Sequence, residues 1–155
     1  MKLARIVLFA VAALLALPAV AQTESDMQIL AEKIKADKKL VVAANLRLMD
    51  DEAKGFWPVY DAYQKDLQAI NQRLLGVVKK YADAYNAGAV SDETAKKLIT
   101  EAIAVEEAEV KLKRSYVPKL EKVIPGVKVA RYIQIENKIR AIVKYELAAQ
   151  IPLVD

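Results

Sequence analysis

The sequence predicts an all-α fold: a long antiparallel helical hairpin with flanking N- and C-terminal helices, about four helices in all. Three observations carry this. Only 4 glycines and 5 prolines are spread over 155 residues, and Ala, Leu, Lys, Glu and Val dominate, a composition that suits helices. Phe56, Tyr60, Tyr63, Leu67, Ile70, Leu74, Val77 and Tyr81 recur at 4-3-4-3-4-3-4 spacing, the period of a helix with one apolar stripe, and no run alternates as a half-buried strand does. The segment "NAGAVSDE" then breaks the pattern briefly, and a short connection makes neighbouring helices antiparallel.

The chain opens "MKLARIVLFAVAALLALPAVAQTES". Lys2 and Arg5 form a basic start, Ile6 to Val20 an apolar run, and Ala19-Val20-Ala21 an A-x-A cleavage site, the pattern of a secretory signal peptide. The alternative is an uncleaved anchor, for which about fifteen apolar residues are short. Residues 1–21 are therefore expected to be removed, leaving 22–155 as a single helical domain with no membrane-spanning segment. Without Lys2 and Arg5 the basic side chains number 22 against 20 acidic ones, a formal charge of +2. Nucleic acid is a poor partner for an exported chain so nearly neutral.

The first mature helix is expected over Asp26 to Asn45, with Ser25 as N-cap. Its apolar positions Met27, Leu30, Ile34, Leu40 and Val41 are irregular, and "KADKK" is strongly solvated. The second helix carries the heptad-like stripe over roughly thirty residues, a pattern that demands a partner helix, in the same chain or in a second copy. Gly88 suits a C-cap, and Ser91 an N-cap with Asp92 and Glu93 in the first turn. The third helix is expected from Asp92 to Tyr116 and to be about 40 Å long. Leu98, Ala102, Val105, Leu112 and Tyr116 form its stripe, and Ile99, Ile103 and Val110 widen it. Glu109 falls within that stripe, as a buried acid with a basic partner or as a seam-edge residue. Pro118, Pro125 and Gly126 break the pattern before a fourth helix, Val127 to Gln150, on which Tyr132, Ile135, Ile139 and Ile142 keep the spacing. The apolar tail "IPLVD" should dock on something.

The chain has no cysteine and no histidine. Disulfides, thiolate metal sites and haem attachment are thereby excluded, along with the commonest metal ligand and general base. Ser25, Ser91 and Ser115 have no recognisable nucleophile setting. The pair-spaced acids of "EEAE" lack the Glu-x-x-His partners of a diiron bundle. No enzyme and no cofactor is expected.

The most informative stretch is "LRLMDDEAKGFWPVYDAYQKDL", residues 46–67. Asp50 is a natural N-cap, with Asp51 and Glu52 in the positive first turn. Pro58 either kinks a helix that starts at Asp50 or begins a new one, with Gly55 easing the bend. Trp57 leaves the main stripe by about 100°. It either seals the core or offers an exposed aromatic to a client.

This stretch resembles the repeat of the periplasmic Spy/CpxP-type proteins, whose L-T-x-x-Q run opens a helix. Leu48-Met49-Asp50-Asp51-Glu52 is the counterpart, with Met for Thr and Glu for Gln, and Ile124-Pro125-Gly126-Val127-Lys128 is a weaker second one before "VARYIQIENKI". The resemblance implies a periplasmic helical protein, a homodimer with a concave face, that acts as an ATP-independent chaperone for partly unfolded envelope proteins. The alternative it implies is a regulator docking one folded envelope partner such as a stress sensor. The metal-responsive relatives use histidines, which this chain lacks. The client or partner surface is expected at Trp57, Tyr60, Tyr63, Lys79, Lys80, Arg114 and Arg131, a basic and apolar face that attracts unfolded chains by charge and holds them weakly by apolar contact. Otherwise the lysines and arginines are a solvated face and the tyrosines are core.

Overall fold

The structure is a computed structural model and describes residues 37–154. The expected signal peptide, residues 1–21, the expected N-cap Ser25 and the part of the expected first helix up to residue 36 lie outside the described residues. Among the described residues there are four helices: α1 over 37–46, α2 over Asp50–Asn86, α3 over Asp92–Glu121 and α4 over Gly126–Gln150. Among the described residues there is no strand. The all-α hairpin with flanking helices is what the periodicity dictates.

The chain divides into two compact units. The larger holds the α2–α3 hairpin, the turn after it and the first residues of α4. The stripe of α2 is buried in it: Phe56, Tyr60, Tyr63, Leu67, Ile70 and Val77 are core, with Leu74 and Tyr81 half-buried at the same spacing. Opposite them α3 buries Leu98, Val105, Glu109, Tyr116 and Leu120. The two helices pack along their length, so the stripe of α2 is covered within one chain. The register is fixed at two levels. Near the turn Lys80 Nζ donates to Glu101 at 2.7 Å, and further along Tyr63 meets Tyr116 edge-on at 5.3 Å while the Tyr116 hydroxyl donates to Asp66 at 2.6 Å.

The turn follows its sequence signals. Ala87 closes α2, Gly88 follows at φ 103°, and the Ser91 side chain accepts from Thr94 N–H at 3.2 Å to open α3. Several expectations are corrected. Asp50 is the first residue of α2 and not its cap; Met49 holds the cap position. Of the two readings of Pro58, the one that begins a new helix there falls, since α2 starts at Asp50 and runs continuously past it, and α3 runs through Pro118 to Glu121 rather than stopping at Tyr116. Each proline forfeits one backbone bond, and the buried side chains beyond it, Tyr60 and Tyr63 in α2 and Leu120 in α3, hold the next turns in helix. Ile99, Ile103 and Val110 do not widen the buried stripe of α3; all three are exposed. Glu109 is buried in the seam and is not an edge residue.

The smaller unit combines α1 with most of α4 and the segment after it. Leu40 is exposed and Val41 half-buried, while Val42 and Leu46, one turn apart, are buried. Lys38, one turn earlier on the same face, donates to Glu136 of α4 at 2.7 Å. On the part of α4 in this unit the firmly buried members are Tyr132 and Glu136, with Ile135, Ile139 and Ile142 half-buried. Arg47 ends the α1 stretch in the left-handed region, φ 51°, a conformation costing a non-glycine residue roughly 1 kcal/mol. Of the tail, Ile151 is half-buried, while Leu153 and Val154 are exposed.

Tyr116 has a titration consequence. Burial first, then the hydrogen bond to Asp66, pushes its phenol up to about 12 from an ordinary value of 10. The neutral phenol is favoured by folding, so its contribution is intact below pH 10 and is lost as pH rises from 10 towards 12. Phenolate absorbance during alkaline titration should show Tyr116 ionising well after the exposed tyrosines, and Tyr116→Phe should take one phenol out of that late change.

Candidate binding surface

The two segments that open α2 and α4 are joined to each other. At the start of α2 the cap residue Met49 has no side-chain oxygen to offer the orphan N–H groups. Glu52, three residues on, reaches back and accepts from Met49 N–H at 2.8 Å, the reciprocal half of a capping box. The same carboxylate takes a hydrogen bond from Lys128 Nζ in the first turn of α4. At that turn the Pro125 carbonyl accepts from Lys128 and Val129 N–H at 2.8 and 3.0 Å, with Ile124 buried just before it. Glu52 and Lys128 are the last residues of the two motif counterparts, and their opposite charges were the signal that sequence reading passed over. Leu48 at the start of the first counterpart is half-buried and Asp50 is exposed.

The Lys128 bond, followed by the Met49 N–H, holds the Glu52 carboxyl below its usual range. Folding thus favours the charged form. Its contribution is present above the ordinary carboxylate value of 4.5 and is lost as pH falls through the lower folded value. Glu52→Gln keeps an acceptor for Met49 but removes the ion pair. Its melting temperature should fall below wild type at neutral pH, and the gap should close in acid below the carboxylate range.

Beside this junction α2 carries its aromatic group. Trp57 is half-buried, edge-on to Phe56 at 5.0 Å and to Tyr60 at 5.4 Å. It therefore has a packing role and a remaining open surface. Tyr60 and Tyr63, expected on a client surface, are core residues and leave that surface: the 4-3 spacing turns both into the seam with α3. Lys80 is engaged with Glu101. Lys79 and Arg114 are exposed on the hairpin, and Arg131 is exposed in the other unit.

The surface that sequence reading missed lies along α3. Ile99, Ile103 and Val110 are 62%, 52% and 53% exposed, and on α2 Leu75 is 51% exposed. The Lys80–Glu101 bridge marks one edge of the hairpin. Leu75 lies about 140° round α2 from Lys80, and Val110 about 180° round α3 from Glu101, so both face the opposite side. The result is an apolar band bordered by Glu106, Glu107, Lys113 and Arg114. Among the described residues no group of three or more Asp and Glu is placed to hold a metal ion, and no helix is long and apolar enough to cross a membrane. Compared with known proteins, the chain matches no family model, and no curated protein or solved structure is significantly similar to it.

Proposed function

We propose that the chain is a periplasmic, ATP-independent holding protein of the Spy/CpxP type, exported by its N-terminal leader, that binds partly unfolded envelope proteins and pairs as a homodimer. The observation that carries this reading is the exposed apolar band of Leu75, Ile99, Ile103 and Val110 on an otherwise charged hairpin. Apolar residues gathered on one face mark a binding surface more than scattered ones do, and holding a client needs neither cofactor nor catalytic group. Trp57, Lys79 and Arg114 contribute at the margins: a half-open aromatic ring for contact and two cations for long-range attraction. The same face suits one folded partner, such as an envelope sensor domain, and the measurement separates the two.

Light scattering from a chemically denatured client diluted into buffer is that measurement, with and without this protein. An unrelated helical protein of similar charge is the control. Near-equimolar protein should suppress scattering for two unrelated clients. The variant Ile99→Ser/Ile103→Ser, altered only at exposed positions, should lose at least half of that effect. No suppression with any client would overturn the reading in favour of a single folded partner.

A further inference from the structure

The α3 band is complementary to itself. From Val110, the residues four and three positions back are Glu106 and Glu107, and those three and four positions on are Lys113 and Arg114. Seven positions back is Ile103 and seven on is Val117. Val110, Ile103, Glu106, Glu107 and Arg114 are exposed, and Lys113 and Val117 half-buried. At 100° per residue, Ile103 and Val117 lie within about 20° of Val110. Glu106 and Lys113 lie about 40° and 60° to one side of that line, and Glu107 and Arg114 about 60° and 40° to the other. The apolar line thus has one acid and one base on each edge, placed symmetrically about Val110.

We infer that a second copy of this chain covers this band, with the two α3 helices crossing antiparallel on a two-fold axis at Val110. A two-fold between antiparallel helices brings like edges together with the chain direction reversed, so a residue before Val110 meets, on the same edge, the residue about as far after it. Val110 then meets its counterpart, and Ile103 meets Val117 twice. Glu106 meets Lys113 on one edge and Glu107 meets Arg114 on the other, four interchain ion pairs in all. A parallel pairing would set acid against acid and base against base, so the charge pattern selects the orientation. A two-fold at Val110 lays residues 99–121 of the two α3 helices along each other, a seam about 35 Å long. This inference rests on the homodimer part of the proposed function and not on client binding, and it names the interface. Pairing shields the apolar band between encounters with clients.

The test is the mass in solution, by sedimentation equilibrium at low and moderate salt, of the protein purified as its own cell processes it. Wild type should be a dimer whose dissociation constant weakens with salt. Glu106→Lys/Glu107→Lys makes both edges basic, and Lys113→Glu/Arg114→Glu makes both acidic. Each should weaken pairing roughly a hundredfold or more through like-charge contact, with the helical circular dichroism unchanged. Mixing the two variants should restore a dimer containing one of each, which no folding defect can produce. A wild-type monomer at all concentrations would overturn both this inference and the homodimer reading. A dimer that ignores the charge reversals would overturn this interface alone.

Discussion

Replacing Phe56 by Ala should lower stability by about 3–5 kcal/mol, the range for emptying a fully enclosed aromatic site. Phe56 is wholly inaccessible and lies at the end of the α2 stripe, where its ring meets Trp57 edge-on and Tyr60 at 5.9 Å. Its removal opens a cavity that Trp57, tethered to the next position of the same helix, cannot fill without leaving Tyr60. The site has its own reporter, because Trp57 is the only tryptophan in the chain. Urea unfolding followed by tryptophan fluorescence should shift to lower urea by an amount matching that free energy. Trp57→Ala, followed by circular dichroism, should cost less, since part of that ring is already in water. Equal losses for the two would mean that the aromatic group is held by Trp57 and not by the seam.

How far the sequence announced all this differs from element to element. The α2 stripe was legible because eight apolar residues keep one period, and period is the property that packing against a neighbouring helix imposes. The turn was legible because Gly88 and Ser91 supply the backbone freedom and the hydroxyl that helix ends need. The course of each helix past its proline was not. A missing N–H is a local cost, visible in sequence, whereas the burial of Tyr60 or Leu120 that offsets it depends on the partner helix. The same asymmetry misplaced Ile99, Ile103 and Val110. Their apolar character fitted a broad stripe, but only the position of α2 decides which side of α3 is covered. Tyr60 and Tyr63 erred in the other direction: tyrosine suits a half-wet surface, yet the stripe's period places both in the seam. Glu109 shows the limit of pattern reading most plainly, because its charge argued for the edge and its spacing for the core, and the spacing prevailed.

Gly55 poses the remaining question, why a helix keeps a residue of such low helix propensity immediately before Phe56 and Trp57. The expectation was that it eases a bend at Pro58. The structure gives it a different role, since the turn after α3 passes directly over it. A Cβ built on Gly55 would stand 3.0 Å from Val123 Cβ and 3.1 Å from its Cγ1, closer than carbon atoms settle in packed interiors. Alanine brings two opposing effects, a gain of about 1 kcal/mol in helix propensity and a contact that Val123 must yield to by a few tenths of an ångström. The net change for Gly55→Ala should stay within about 1 kcal/mol of zero. Leucine gains nearly as much propensity but cannot be accommodated without moving the turn that leads to the buried Ile124 and Leu120 contacts. Overpacking of that kind costs typically about 1–3 kcal/mol and at times more, so Gly55→Leu should lose about 2 kcal/mol in urea unfolding. The decisive comparison is a double-mutant cycle with Val123→Gly, which removes both clashing atoms. In that background Gly55→Leu should lose little or become stabilising, because only the propensity gain remains. A cost that is the same with and without the Val123 side chain would show that the glycine is kept for the backbone at Pro58, and the close approach of the turn would not be its cause.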